Sequence, residues 1–184
     1  MVAVGFIPRN KMAVGLFVAS RRLKLFSRPF ILRRMANTFT SLHCHLVFST
    51  KDREPWIKHE IENRVWAFLG GIARENGMKA LQIGGMPDHI HIVLGIPPTL
   101  SISKAAQLIK GGSSKWIKTE FPGMNGFGWQ DGYGAFSVSK SNLPDVICYV
   151  QNQKEHHRTK TFQEEFIAFL VRHGIDYDER YLWD

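Results

Sequence analysis

An α+β domain, an antiparallel sheet with helices gathered on one face, is what this sequence predicts, and three observations predict it. Apolar residues recur with period two in short stretches and with helical spacing in four longer ones. Those stretches follow the order strand, helix, strand, strand, helix, strand, with two further helices behind them. The 184 residues, 44% apolar and 22% charged, have the composition of one soluble domain. A chain of this size buries about 68–70% of its unfolded surface, enough to stand without disulfides or a structural metal.

Residues 42–49 read as a strand with Leu42, Cys44, Leu46 and Phe48 on one face. Residues 51–55 form a charged loop. Residues 59–76 follow as a helix, with Ile61, Val65, Phe68, Leu69 and Ile72 as its apolar stripe and Asn76-Gly77 as its stop. Residues 78–86 and 89–96 are two strands joined by Pro87-Asp88, turn chemistry suited to a hairpin. Residues 101–120 give a second helix, which Gly111-Gly112 weakens. Residues 127–139, rich in Gly and aromatic rings, offer a fourth strand. A third helix opens at Ser141-Asn142 and reaches about His157; a fourth covers residues 163–173 and stops at Gly174. This order is that of a ferredoxin-like (RRM-like) sandwich with additional C-terminal helix, one face of its sheet left for a helix, a partner or a substrate to cover.

The net charge of +8 is unevenly placed. Residues 1–34 hold eight of the 24 Lys and Arg and none of the 16 acids, so from Met35 onward the two signs balance. Residues 1–34 are therefore expected to be a dispensable or disordered basic extension, with Met35-Ala36-Asn37 as the more natural start of a domain spanning 35–184. Any nucleic acid bound by that domain must be held by placed groups, because a global positive field is absent there. Two cysteines, Cys44 and Cys148, suit a reducing cytoplasm. No apolar run approaches the ~18–20 residues of a membrane span, and the protein is read as soluble and cytoplasmic.

The sharpest local signal is Pro87-Asp88-His89-Ile90-His91-Ile92-Val93-Leu94. Alternation in a strand sends His89 and His91 to one face and Ile90, Ile92 and Leu94 to the other. Two imidazoles on a rigid sheet can supply two nitrogen ligands to one metal ion. A bare His-x-His is more often two polar residues on a half-solvated face, and His43-Cys44-His45 repeats the spacing. A second constellation lies in the third helix, where Leu143, Val146, Ile147 and Val150 form the stripe. Tyr149 falls about 110° from its centre, with Gln153 one turn on along the same flank. A phenol there reaches a neighbouring surface while its helix stays docked.

Together these residues resemble the HUH superfamily of single-strand nucleases, and within it the single-tyrosine transposases of small bacterial insertion sequences. The resemblance runs from about Met35 to Asp184. It rests on Phe48-Ser49-Thr50-Lys51, the Pro87–His91 segment, Gly132-Tyr133-Gly134-Ala135-Phe136-Ser137, Tyr149-Val150-Gln151-Asn152-Gln153 and the ending Tyr177-Asp178-Glu179-Arg180-Tyr181-Leu182-Trp183-Asp184. It implies that His89, His91 and Gln153 are metal ligands and that Tyr149 is the nucleophile, with no such role for His43 or His45. It also implies cleavage and rejoining of single-stranded DNA hairpins at element ends through a 5′-phosphotyrosine. The cofactor implied is Mg²⁺ or Mn²⁺, and the assembly a homodimer whose sites either lie within one subunit or combine the histidines of one with the tyrosine helix of the other. By ligand type Mn²⁺ is more at ease with nitrogen than Mg²⁺, and Zn²⁺ also suits the set.

A free tyrosine titrates near ~10, so the reaction needs a group to take its proton. Lys154, Glu155, His156 and His157 are unranked candidates. For DNA binding, Lys104, Lys110, Lys115 and Lys118 recur along the second helix with Trp116, while Trp129, Tyr133 and Phe136 are rings that could stack on bases. A solvated lysine face and core aromatics are the bland alternatives. Two other functions stay open: a domesticated relative acting on chromosomal repeat hairpins, like the transposases associated with repeated extragenic palindromes, and a noncatalytic single-strand-binding module.

Overall fold

The computed structural model describes residues 39–183; the expectations for residues 1–34 and for a start at Met35 fall outside them. Strands β1 (His43–Ser49), β2 (Lys79–Met86), β3 (His89–Gly95) and β4 (Gly134–Ser137) form one sheet in the order β2-β3-β1-β4, every pair antiparallel. The β2–β3 hairpin closes at Pro87-Asp88 with Met86 opposite His89, as the turn chemistry required. Helices α1 (His59–Glu75) and α2 (Ile102–Glu120) pack on one face. There Val65, Leu69, Ile109 and Ile117 meet Leu46, Phe48, Ile90, Ile92 and Leu94 in the main core.

The opposite face is covered by the chain itself. Helix α3 (Leu143–Gln151), a short α4 (Gln153–His156) and α5 (Phe162–Arg172) follow β4. Val150 and Leu143 pack on Val93, and Phe162 and Leu170 join Val47 and Phe136 in a second cluster. The sheet is thus sandwiched between helical layers rather than half open, and β3 shows six consecutive buried residues instead of alternating exposure.

Three sequence expectations change. The fourth strand shrinks from residues 127–139 to Gly134–Ser137, with Trp129 making only an isolated bridge to Thr50. The third helix breaks at Asn152, whose side-chain amide donates to the Cys148 carbonyl (3.0 Å) and leaves the residue outside helical geometry. Gly111-Gly112 does not interrupt α2. A β-carbon at Gly112 would stand 3.1 Å from Ile72 Cδ1, so this glycine lets α1 and α2 approach closely. At the other interface a β-carbon on Gly84 would collide with the Val150 carbonyl, so only glycine lets α3 settle on β2.

Candidate active site

His89 and His91 project from β3 toward α3–α5 and are 1% and 0% exposed. Each ring is fixed from behind. Asp88 Oδ1 lies 2.8 Å from His89 Nδ1, and an ionised carboxylate only accepts, so Nδ1 carries the proton and Nε2 offers its lone pair forward. His91 Nδ1 stands 3.0 Å from Nε2 of His45 on the neighbouring β1, while His91 Nε2, also buried, has no hydrogen-bond partner among the described residues. Burial above all, with the nearby histidines adding repulsion, holds His91 and His45 well below the usual histidine range.

From the helical layer come Tyr149, half-buried on α3, and Gln153, buried at the start of α4. The break at Asn152 does not separate them. Both address one carboxylate, Glu165 of α5: the Tyr149 hydroxyl donates to Glu165 Oε1, and Gln153 Nε2 donates to the same atom at 3.3 Å. The Gln153 oxygen is thereby turned the other way, 3.1 Å from His157 Nε2. Glu165 is 3% exposed. Burial pushes its carboxyl up to about 7, with His89 opposing the rise and Asp88 adding to it. Its Oε2 lies 3.3 Å from His91 Nε2, yet makes no hydrogen bond among the described residues.

These atoms fit a divalent cation. His89 Nε2 offers its lone pair inward, His91 Nε2 is a buried polar atom without a hydrogen-bond partner among the described residues, and both lie within 4.8 Å of ligand atoms of His157 and Glu165; Gln153 Oε1 reaches the same group through His157 Nε2 at 3.1 Å. Two clefts lead inward. One of about 520 Å³ opens on Tyr149 beside Lys160, Arg172 and His173; another of about 490 Å³ opens on His89 beside Arg53, Arg158 and Lys160.

The residues singled out from sequence divide accordingly. His89, His91, Tyr149 and Gln153 come together within one chain. The base candidates scatter: Lys154 pairs with Glu62 (2.7 Å), Glu155 with Arg158 (3.0 Å), and only His156 and His157 turn inward, to 3.5 and 3.4 Å from Glu165. Helix α2, with its lysines, lies on the other face of the sheet. Lys110 donates to the carbonyls of Gln130, Asp131 and Gly132, and Trp116 stacks on Phe68 at 4.1 Å, so both have structural work. Lys104, Lys115 and Lys118 are exposed. Trp129 and Phe136 are core rings, Trp129 donating to buried Ser113 (2.9 Å), whereas Tyr133 is exposed. Sequence reasoning missed Glu165 and the supporting His45. The signal for Glu165 was a carboxylate on the stripe that Phe162, Phe166 and Phe169 trace along α5.

The chain is similar to known proteins in sequence and in fold. The family model described as IS200-like transposase matches residues 38–153. The ISDra2 transposase TnpA of Deinococcus radiodurans is 24% identical over 132 residues, 69% of this chain and 94% of that protein. The transposase for insertion sequence element IS200 of Salmonella typhimurium is 28% identical over 128 residues, 67% of this chain and 84% of that one. A crystal structure of a candidate transposase from D. radiodurans R1 superposes with a TM-score of 0.55 at 26% identity, over 66% of this chain and 98% of that chain. A REP-associated tyrosine transposase bound to a REP hairpin gives a TM-score of 0.50 at 10% identity, over 66% and 72%, a likeness of fold alone. With well over half of its residues matched by the family model, the chain belongs to the IS200-like transposase family.

Proposed function

We propose that this transposase cleaves and rejoins single-stranded DNA at hairpin-marked element ends, with Tyr149 as nucleophile. The observation that supports the reading is the meeting of the Tyr149 hydroxyl, a buried carboxylate and the His89–His91 pair in one basic-rimmed site. A divalent cation held by His89, His91 and Gln153 would offset the charge that develops on the phosphate. Tyr149 Oη attacks phosphorus and the P–O3′ bond breaks, leaving a 5′-phosphotyrosine. The phenolic proton passes to Glu165 Oε1, which already accepts it in a hydrogen bond, and the departing 3′ oxygen takes one up from solvent. Attack by a 3′-hydroxyl reverses the step, so rejoining needs no nucleotide cofactor.

Arg53, Arg158, Lys160 and Arg172 at the two clefts supply cations for the DNA backbone next to the reacting groups. Lys104, Lys115 and Lys118 would act farther off, along the opposite layer. A homodimer, which the resemblance implies, would serve two ends at once; the rings of Tyr149 and His91 lie 6.0 Å apart within a single chain. Covalent capture tests the reading: incubation with single-stranded hairpin DNA and Mn²⁺ should yield a protein–DNA adduct. The adduct should vanish in Tyr149→Phe and fall at least ~10-fold in His89→Ala. An adduct that survives in Tyr149→Phe would assign the nucleophile elsewhere.

A further inference from the structure

The pairing of His89 with His157 cannot be an ordinary hydrogen bond between neutral rings. Their Nε2 atoms lie 2.9 Å apart. His89 Nδ1 faces Asp88, and His157 Nδ1 faces the Lys160 carbonyl at 2.8 Å; both partners accept, so both rings carry their proton at Nδ1. Two lone pairs then confront each other. The Gln153 oxygen brings a third to the same nitrogen at 3.1 Å. Glu165 Oε2 adds a fourth, 3.4 Å from His157 Nε2, 3.3 Å from His91 Nε2 and 4.0 Å from His89 Nε2. The candidate ligand atoms of His89, His91, His157 and Glu165 all lie within 4.8 Å of one another. Around a cation bonded at ~2.1–2.2 Å, adjacent ligand atoms stand ~3 Å apart and opposite ones ~4.3 Å. The separations of 2.9–3.4 Å that His157 Nε2 makes to His89, Gln153 and Glu165, and of 3.3 Å between Glu165 and His91, are those of neighbours on one coordination sphere, and the 4.0 Å between His89 and Glu165 sets those two farther apart around it.

We infer that His157 and Glu165 are ligands of the same cation as His89, His91 and Gln153, making a site of three imidazoles, one carboxylate and one amide oxygen. This deepens the proposed function and rests on it for the presence of a cation. Both added ligands lie beyond residue 153, where the family match ends. Glu165 joins two parts of the reaction, with Oε2 on the metal and Oε1 on the nucleophile's hydroxyl. Five protein donors on an ion that takes six ligands would leave room for a phosphate oxygen, and the nitrogen-rich set favours Mn²⁺ over Mg²⁺.

Titration of the purified protein with Mn²⁺, followed by the paramagnetic resonance of the unbound ion, reads ligation apart from catalysis. Glu165→Gln and His157→Ala, confirmed folded by circular dichroism, should each weaken Mn²⁺ binding at least ~10-fold. Mn-edge X-ray absorption of the unaltered protein, which needs no variant, should count three imidazoles. If both variants bind within twofold of the unaltered protein while His89→Ala loses the ion, the added ligands are refuted and the cleavage reading stands; an absorption count of two imidazoles refutes His157 as a ligand. If the unaltered protein takes up no Mn²⁺, both fall together.

Discussion

Asp88 shows how much of the site depends on groups behind the ligands. Its carboxylate fixes the tautomer of His89 from 2.8 Å, so Asp88→Ala should weaken Mn²⁺ binding ~10–100-fold without unfolding the protein, as measured by the same titration. The two cysteines make an independent test of burial. Burial pushes the Cys44 thiol up to about 11, whereas Cys148 is exposed. A raised folded pKa favours the fold while the thiol is neutral, and that contribution is lost as the pH climbs from about 9 through 11. At pH 8 a thiol reagent should therefore modify one cysteine per chain quickly, Cys148, and the second only after denaturation. At this scale the sequence was legible where side chains repeat a local spacing: His89-x-His91 on a strand, Tyr149 and Gln153 on one flank. Glu165 was not, because its partners sit 8 to 76 positions away, and only tertiary packing gives a carboxylate on an apolar stripe its meaning.

One close approach between elements positions Tyr149. Gly84 admits α3, with Tyr149 on it, against β2, so Gly84→Ala should cost about 1–3 kcal/mol in urea unfolding and lower the adduct yield as α3 is pushed off the sheet. Gly111 is a control: it lies inside α2 with open space where a β-carbon would go, and Gly111→Ala should stabilise by about 0.4–1 kcal/mol. The hydrophobic periods of α1 and α2 and the Pro87-Asp88 hairpin were readable because local pattern and packing agree there. The break at Asn152 was not, since the apolar stripe of α3 ends before it and a single side-chain amide decides the geometry. The fourth strand was overlong in expectation because the aromatics of residues 127–133 pack in loops rather than on a ladder.

For the whole molecule, the sequence left one face of the sheet unassigned, and the fold covers it with α3–α5, burying the histidines and raising the weight of every lone pair that lacks a proton. Among the described residues no helix is long and apolar enough to cross a membrane. The layered arrangement also separates the α2 lysines from the clefts that reach Tyr149 and His89, so under the proposed function backbone contacts at the reacting phosphate would fall to Arg53, Arg158, Lys160 and Arg172. Cleavage as proposed requires a cation at the centre of that covered face. A crystal soaked in Mn²⁺ and measured for anomalous scattering tests this most directly. The expected result is a single strong peak within bonding distance of the His89 and His91 Nε2 atoms, on the side facing Tyr149 and Glu165. A peak elsewhere, or an empty site flanked by a histidine pair unchanged at saturating Mn²⁺, would contradict it.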